Sequence, residues 1–265
     1  MSFDELKARQ SVMWGSGPYE ELSVHHQGAI DHLLERLGPL AGQELLDVAT
    51  GTGELARPAA AAGARVTAID LAPILIETAK RTAASAGLTV TFEIGDAEHL
   101  PYGDGQFDIV ASTFGVMFTP SHAAAAAELV RVTRRGGRLG LTAWRGDGGV
   151  GALLGTMKPF QPPPPSPAPD NPFDWGRKDH VEELLGEHFA LEFEEGDAVQ
   201  VAASGDEMWD LLLRAYGPTK ALATALDDTR RRDLEAAVVA FYESHRSGHQ
   251  IRFSREYLLV TGTRR

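Results

Sequence analysis

The chain has 265 residues and a formal net charge of −12, enough length for one large domain carrying a substantial insertion. Both a nucleic-acid phosphate surface and an anionic membrane need clustered Lys and Arg, so this balance argues against either as the main partner. With no cysteine, disulfides, thiolate nucleophiles and Cys-based metal sites are excluded, and nothing calls for an oxidising compartment.

A cytoplasmic protein is the default expectation. The first residues, Met1-Ser2-Phe3-Asp4-Glu5, lack the basic-then-apolar order of a signal peptide, and no apolar run approaches the length of a membrane span. Residues 3–9 read as a short helix, broken by Trp14-Gly15-Ser16-Gly17-Pro18-Tyr19. Residues 22–37 carry Ile30, Leu33, Leu34 and Leu37 at helical spacing, with His25, His26 and His32 interspersed. Those histidines are expected on the helix surface or satisfied in the core rather than as ligands.

Leu45, Leu46 and Val48 read as a short buried strand running into Thr50-Gly51-Thr52-Gly53. Glycine frees the backbone to turn sharply and approach a ligand, and a helix over 54–62 would aim its N-terminal N–H groups there. A second apolar strand over 64–69 ends at Asp70, nineteen positions after Gly51. That is close to the roughly 20 expected for an acid that grips a ribose in nucleotide-binding βαβ units. Asp70 also suits the cap of the helix that Pro73 opens. The glycine turn alone leaves a dinucleotide dehydrogenase open, although Ala56 stands where that fingerprint places its third glycine.

The Pro73 helix runs to about Ser85. A third strand covers 89–94 and is followed by Gly95-Asp96-Ala97; a fourth covers 107–112. Ser121 caps a helix from His122 to about Arg134, Gly136 and Gly137 end it, and a fifth strand covers 138–143. This alternation gives an α/β fold with a doubly wound parallel sheet, whose ligands bind at the carboxyl ends of the strands. Gly53, Asp70, Asp96 and Ser112 all fall at those ends. The basic groups at 131–138 and 230–232 read as solvated helix ends.

Residues 159–172 hold eight of the fifteen prolines and read as a stiff, helix-free connector. A helix over 180–188, a sixth strand over 190–202, helices over 205–217 and 228–247, and a seventh strand over 257–263 complete the chain. The last strand arrives after a helical insertion and can pair antiparallel beside the sixth. The whole reads as one domain, with a core at 40–145, 175–203 and 250–265 and lid elements at 1–37, 147–172 and 205–247.

Four ordered motifs within 44–144 resemble those of class I S-adenosylmethionine-dependent methyltransferases, seven-stranded enzymes with a Rossmann-like sheet. Leu46-Asp47-Val48-Ala49-Thr50-Gly51-Thr52-Gly53 is similar to the first motif of the menaquinone and ubiquinone biosynthesis type, with Ala49 where most relatives have glycine. Asp70 with Leu71, Gly95-Asp96-Ala97, the stretch 100–108 leading into strand four, and 129–139 follow in the family's order. The resemblance implies S-adenosylmethionine as cofactor and S-adenosylhomocysteine as product. It implies that Asp47 organises the site near the methionine amino group, Asp70 takes the ribose hydroxyls and Asp96-Ala97 takes the adenine. It also places Ser112, Thr113 and Phe114 toward the sulfonium.

Methyl transfer from a sulfonium needs no dedicated base. His122, Tyr19, His180 and Tyr216 are candidates without a decisive spacing, so no catalytic residue is assigned. No metal is expected, for want of a His-Glu-x-x-His pattern or compact acidic cluster. The expected acceptor is a small apolar or aromatic molecule, enclosed by Met208, Trp209, Leu212, Leu213, Tyr216, Phe241 and Tyr242. A homodimer face is the alternative use of those side chains, and a protein that binds the cofactor without methyl transfer is the alternative function.

Overall fold

The computed structural model describes residues 2–265. Helix α1 (Phe3–Trp14) is closed at its start by a capping box, Ser2 with Glu5, and runs well past the expected 3–9. The turn residues that follow lead into α2 (Glu20–Ser23), a 3₁₀ turn (Val24–His26) and α3 (Gln27–Leu37). Ala29, Ile30, Leu33 and Leu37 are the buried face of α3.

Strand β1 (Glu44–Val48) is buried on both faces, which explains its unbroken apolar run. Helix α4 (Ala56–Ala61) begins later than the sequence suggested. Glu54 is held in the turn instead, by Arg57 Nη2 at 2.5 Å and Thr52 Oγ1 at 2.9 Å. Then come β2 (Arg65–Asp70), α5 (Pro73–Ser85) with proline in its first turn, β3 (Thr91–Ile94) and β4 (Phe107–Thr113).

Helix α6 (His122–Val132), capped by Ser121 Oγ accepting from the Ala124 N–H at 3.3 Å, passes directly into β5 (Thr133–Trp144). Gly136 and Gly137 therefore do not end a helix. They lie in an irregular excursion inside β5, where the pairing shifts from Phe107↔Thr133 to Ile109↔Arg138 and Gly136 takes φ +70°.

Helix α7 (Gly149–Met157) precedes the proline-rich connector, and α8 (Lys178–Leu185) leads to β6 (Phe189–Asp197). The expected sixth strand is two strands. β7 (Gln200–Ala202) leaves the main sheet and starts a second one. The break falls where the Asp197 carboxylate turns away to accept from the Ser254 hydroxyl and the Arg255 N–H.

The insertion holds α9 (Gly205–Ala215), α10 (Gly217–Ala225) and α11 (Asp228–Glu243), then β8 (Arg246–Ser247) and β9 (Gln250–Phe253), before β10 (Glu256–Arg264) closes the chain. The main sheet has seven strands in the order β3-β2-β1-β4-β5-β10-β6, and the small sheet has the order β7-β9-β8. β10 is antiparallel to both β5 and β6, whereas β1 to β5 are mutually parallel. The main core lies between this sheet and its helices; a separate core of Met208, Trp209, Leu212, Leu234, Val238, Tyr242 and Phe253 lies within the insertion, with Leu153 and Met157 of α7 packed into it.

Candidate functional site

The ends of β1, β2, β3 and β4 open onto a cavity of about 930 Å³, counting the solvent at its mouth, and α1 crosses it from the other side. Gly51 is in the left-handed region at φ +58°, and its N–H donates to Asp70 Oδ2 at 2.8 Å. Asp70 Oδ1 accepts from the Ala72 N–H at 2.9 Å. Burial raises the Asp70 pKa, and these backbone donors work against that rise. Each carboxylate oxygen can accept more than one hydrogen bond, and Asp70 lines the cavity.

One strand further out, Asp96 is gripped by Lys7 of α1, Nζ to Oδ2 at 2.7 Å, and the same ammonium meets Glu98 Oε2 at 2.5 Å. Burial pulls the Lys7 pKa down, but the two carboxylates outweigh it and hold it above the ordinary value. Glu98 also accepts from the Ser121 N–H at 2.7 Å. A buried pair stripped of one partner leaves an uncompensated charge, so α1 is bound to the cavity floor.

Of the residues singled out from sequence, Ala49, Thr50, Gly51, Asp70, Leu71, Gly95, Asp96, Ala97 and Phe114 line this cavity. Asp47, Gly53 and Ser112 stand behind its wall. The Asp47 carboxylate is fully buried, accepts from Thr50 Oγ1 at 2.5 Å, and leaves Oδ1 without a partner among the described residues. Burial pushes its pKa up to about 7. Gly53, at φ +82°, supplies backbone freedom and close packing, since a Cβ there would sit 3.3 Å from Ala79 and Phe92. Ser112 Oγ donates to the Val48 carbonyl at 2.7 Å and accepts from the Val116 N–H at 3.1 Å, joining two strand ends.

A second cavity, about 640 Å³ counting its mouth, adjoins the first. Trp14, Tyr19, His26, Phe114 and Phe118 line both. Phe114, at φ +55°, stacks on Trp144 with ring centroids 3.6 Å apart and planes 7° apart. A non-glycine residue held there costs energy that the surrounding packing must supply. His26 sits 5.2 Å from Phe114 and 5.4 Å from Trp144, ring to ring, with no hydrogen bond to its imidazole among the described residues. Burial, then Arg255 and His25, hold its pKa well below the ordinary value, so the ring is neutral.

Beyond that junction the second cavity is walled by Leu22, Leu153, Leu154, Phe173, Leu212, Tyr216, Tyr242 and Phe253, with Gln200 and Arg255 as its polar members. Leu212, Tyr216 and Tyr242 are the expected insertion residues that reach it. Met208 and Trp209 turn into the insertion's own core, with Leu213 and Phe241 packed against it. Of the four candidate bases without a decisive spacing, Tyr19 and Tyr216 line cavities. His122 and His180 do not: they hydrogen-bond each other at 3.1 Å beside Trp175, away from both cavities.

Lys7, His26, Trp144, Gln200 and Arg255 are site residues that sequence reasoning did not single out, whereas Thr113, expected toward the sulfonium, lines the first cavity. Lys7 carried no usable signal: Arg9 is a second cation two positions on, flanked like Lys7 by Ala8, and nothing in the run Phe3–Trp14 marks which of the two faces the cavity. His26 was visible but discounted.

Residues 46–141 match the family described as Methyltransferase domain. The protein Rv1405c of Mycobacterium tuberculosis is 33% identical over 273 residues, 98% of this chain and 96% of the relative. The demethylmenaquinone methyltransferase of Thermus thermophilus is 42% identical over 113 residues, 42% of this chain and 50% of that enzyme. Among solved structures, YcgJ of Bacillus subtilis superposes with a TM-score of 0.62 at 18% identity, over 91% of this chain and 99% of that one, a likeness of fold.

Proposed function

The chain belongs to the class I S-adenosylmethionine-dependent methyltransferases, and from that premise we propose that it methylates a small apolar or aromatic molecule held in the second cavity. The observation that carries this is the shared wall: Trp14, Tyr19, His26, Phe114 and Phe118 belong to both cavities, so a ligand in one meets a ligand in the other. An apolar space with few polar groups is the usual small-molecule site.

The residues of the first cavity fit the cofactor. Asp70 is a buried acid with acceptor capacity on the cavity side, suited to a vicinal diol, while Asp96 and Ala97 suit the adenine edge and Thr50-Gly51 the amino-acid end. When bound, S-adenosylmethionine supplies a methyl group on a positively charged sulfur, already activated as an electrophile. The chain's task is positioning and the exclusion of water. The aromatic faces at the junction favour a nearby cation and keep solvent out. For a hydroxyl acceptor, His26 is the neutral, unbonded ring at that junction and can accept a hydrogen bond that orients the hydroxyl.

The purified protein incubated with S-adenosylmethionine and a small-molecule extract should release S-adenosylhomocysteine, together with a product heavier by one methylene in the mass spectrum. Tight cofactor binding with no S-adenosylhomocysteine and no methylated product would count against methyl transfer to a small acceptor.

A further inference from the structure

Two polar groups in the second cavity are not satisfied by its walls. Gln200, the first residue of β7, is 3% exposed, and its Nε2 has no hydrogen-bond partner among the described residues. Arg255, in the link between β9 and β10, is 4% exposed. Its Nε donates to the Ala198 carbonyl at 2.9 Å and its Nη2 to the His25 carbonyl at 2.7 Å. A guanidinium has about five N–H donors, so most of them are left over.

No carboxylate forms an ion pair with Arg255 among the described residues. Glu256, next in sequence, accepts from the Gly149 N–H at 2.7 Å, and Asp197 accepts from the Arg255 backbone N–H at 2.9 Å rather than from the side chain. Burial lowers the Arg255 pKa to about 10, which still leaves it charged at neutral pH. The Trp144 ring face, 5.5 Å from the guanidinium carbon, gives partial compensation only. A buried cation without an anion is costly, and the same cavity holds an amide donor equally short of an acceptor. Gln200 pairs with Phe253 across the small sheet, two residues from Arg255, so both groups come off one edge.

We propose that the acceptor is a ring compound bearing one carboxylate, which Arg255 and Gln200 bind while Leu153, Leu212 and Tyr216 pack the ring. This rests on the second cavity being the acceptor site. Arg255 and Gln200 line the second cavity and not the first. The carboxylate is therefore an anchor outside the first cavity, and a different atom of the acceptor meets the aromatic junction. A single anion matches the single uncompensated cation, and the planar fork of arginine matches the two oxygens of a carboxylate.

The test uses the full chain saturated with S-adenosylhomocysteine, with 2-naphthoate and its neutral isostere 2-naphthamide as probes in calorimetry. The naphthoate should bind at least about tenfold tighter than the amide, as expected for a charge-assisted pair. Arg255→Met should erase that preference. Because the guanidinium also ties Ala198 to His25, this variant can fail to fold, and Gln200→Glu provides the independent arm. That near-isosteric change sets a carboxylate beside Arg255 and should remove the preference for naphthoate while S-adenosylhomocysteine still binds. Equal binding of acid and amide to the wild type, binding of neither, or an unchanged preference in Gln200→Glu overturns the proposal. Failure of S-adenosylhomocysteine itself to bind would instead strike the assignment of the two cavities.

Discussion

The parallel part of the sheet and the insertion are built on different physical terms. In the first, β1 and β4 are covered on both faces and their backbone groups are satisfied by neighbouring strands. Its polar residues gather where the strands end. In the second, α9 presents one buried face, Met208, Trp209, Leu212 and Ala215, to α11 and to a small three-stranded sheet whose β8 is two residues long. Its polar residues, Gln200 and Arg255, lie at the seam with the main sheet. A hydrogen-bonded sheet with chemistry at its rim can serve any acceptor, whereas a packed helical cover can be reshaped without disturbing that rim. The cofactor half is accordingly the part that resembles other enzymes.

The largest expected effect separates the two cores. Leu46 and Leu234 are both fully buried, and replacing either by alanine should cost about 2–5 kcal/mol. Leu46→Ala should lower the unfolding midpoint and the affinity for S-adenosylhomocysteine together. Leu234→Ala should lower turnover while calorimetric affinity for S-adenosylhomocysteine stays within about threefold, because the insertion loosens before the sheet. Equal loss of that affinity in both variants would break the comparison.

Within the sheet half, Asp70→Ala should weaken S-adenosylhomocysteine binding by about 1.5–3 kcal/mol through the loss of charge-assisted hydrogen bonds. The far-UV circular dichroism spectrum should stay that of the wild type. A folded variant of unchanged affinity removes Asp70 from the ribose role.

A smaller effect should appear behind the cavity wall. The Asp47 pKa is raised by burial to about 7, so between about pH 4 and pH 7 the folded state holds a proton that the unfolded state releases. Its stabilising contribution is present at low pH and lost as pH rises through the folded value. Asp47→Asn, which cannot ionise, should gain on the wild type in denaturant midpoint between about pH 5 and about pH 8; a wild type that gains on the variant over that range has the opposite sign and defeats the assignment.

The smallest expected effect is none: turnover should survive a chelator. Among the described residues no group of three or more His, Asp or Glu side chains is placed to hold a metal. Loss of turnover in chelator with recovery on added Mg²⁺ would show a ligand set that the substrate completes.

The sheet half was legible because its information is local. Each strand carries its own apolar run, and each strand end carries its own polar residue within two or three positions, as at Asp70-Leu71 and Gly95-Asp96-Ala97. The second cavity draws Trp14, Phe114, Leu153, Gln200, Leu212 and Arg255 from six separate stretches, and no sequence period joins them. α10 was missed because Gly217-Pro218 reads as a break. Proline in the first turn is a helix start, and a Cβ at Gly217 would meet the Met13 carbonyl oxygen at 1.9 Å. The small sheet left one cue, Gly248 in the turn between β8 and β9 at φ +62°, too little against strands this short. His26 was discounted because one histidine on a helical stretch gives no sign of which cavity it faces.

The four tryptophans happen to divide the molecule into optical districts. Trp14 touches both cavities, and Trp144 lines the second beneath the Phe114 ring. Trp175 is sealed in the main core and Trp209 in the insertion core. Excited near 295 nm, where tyrosine contributes little, the native protein thus carries its own dyes for occupancy, for the sheet and for the cover. Phenylalanine in place of three tryptophans at a time would let each emission band be followed alone, so that ligand arrival and the melting of either core could be timed in one cuvette without a label.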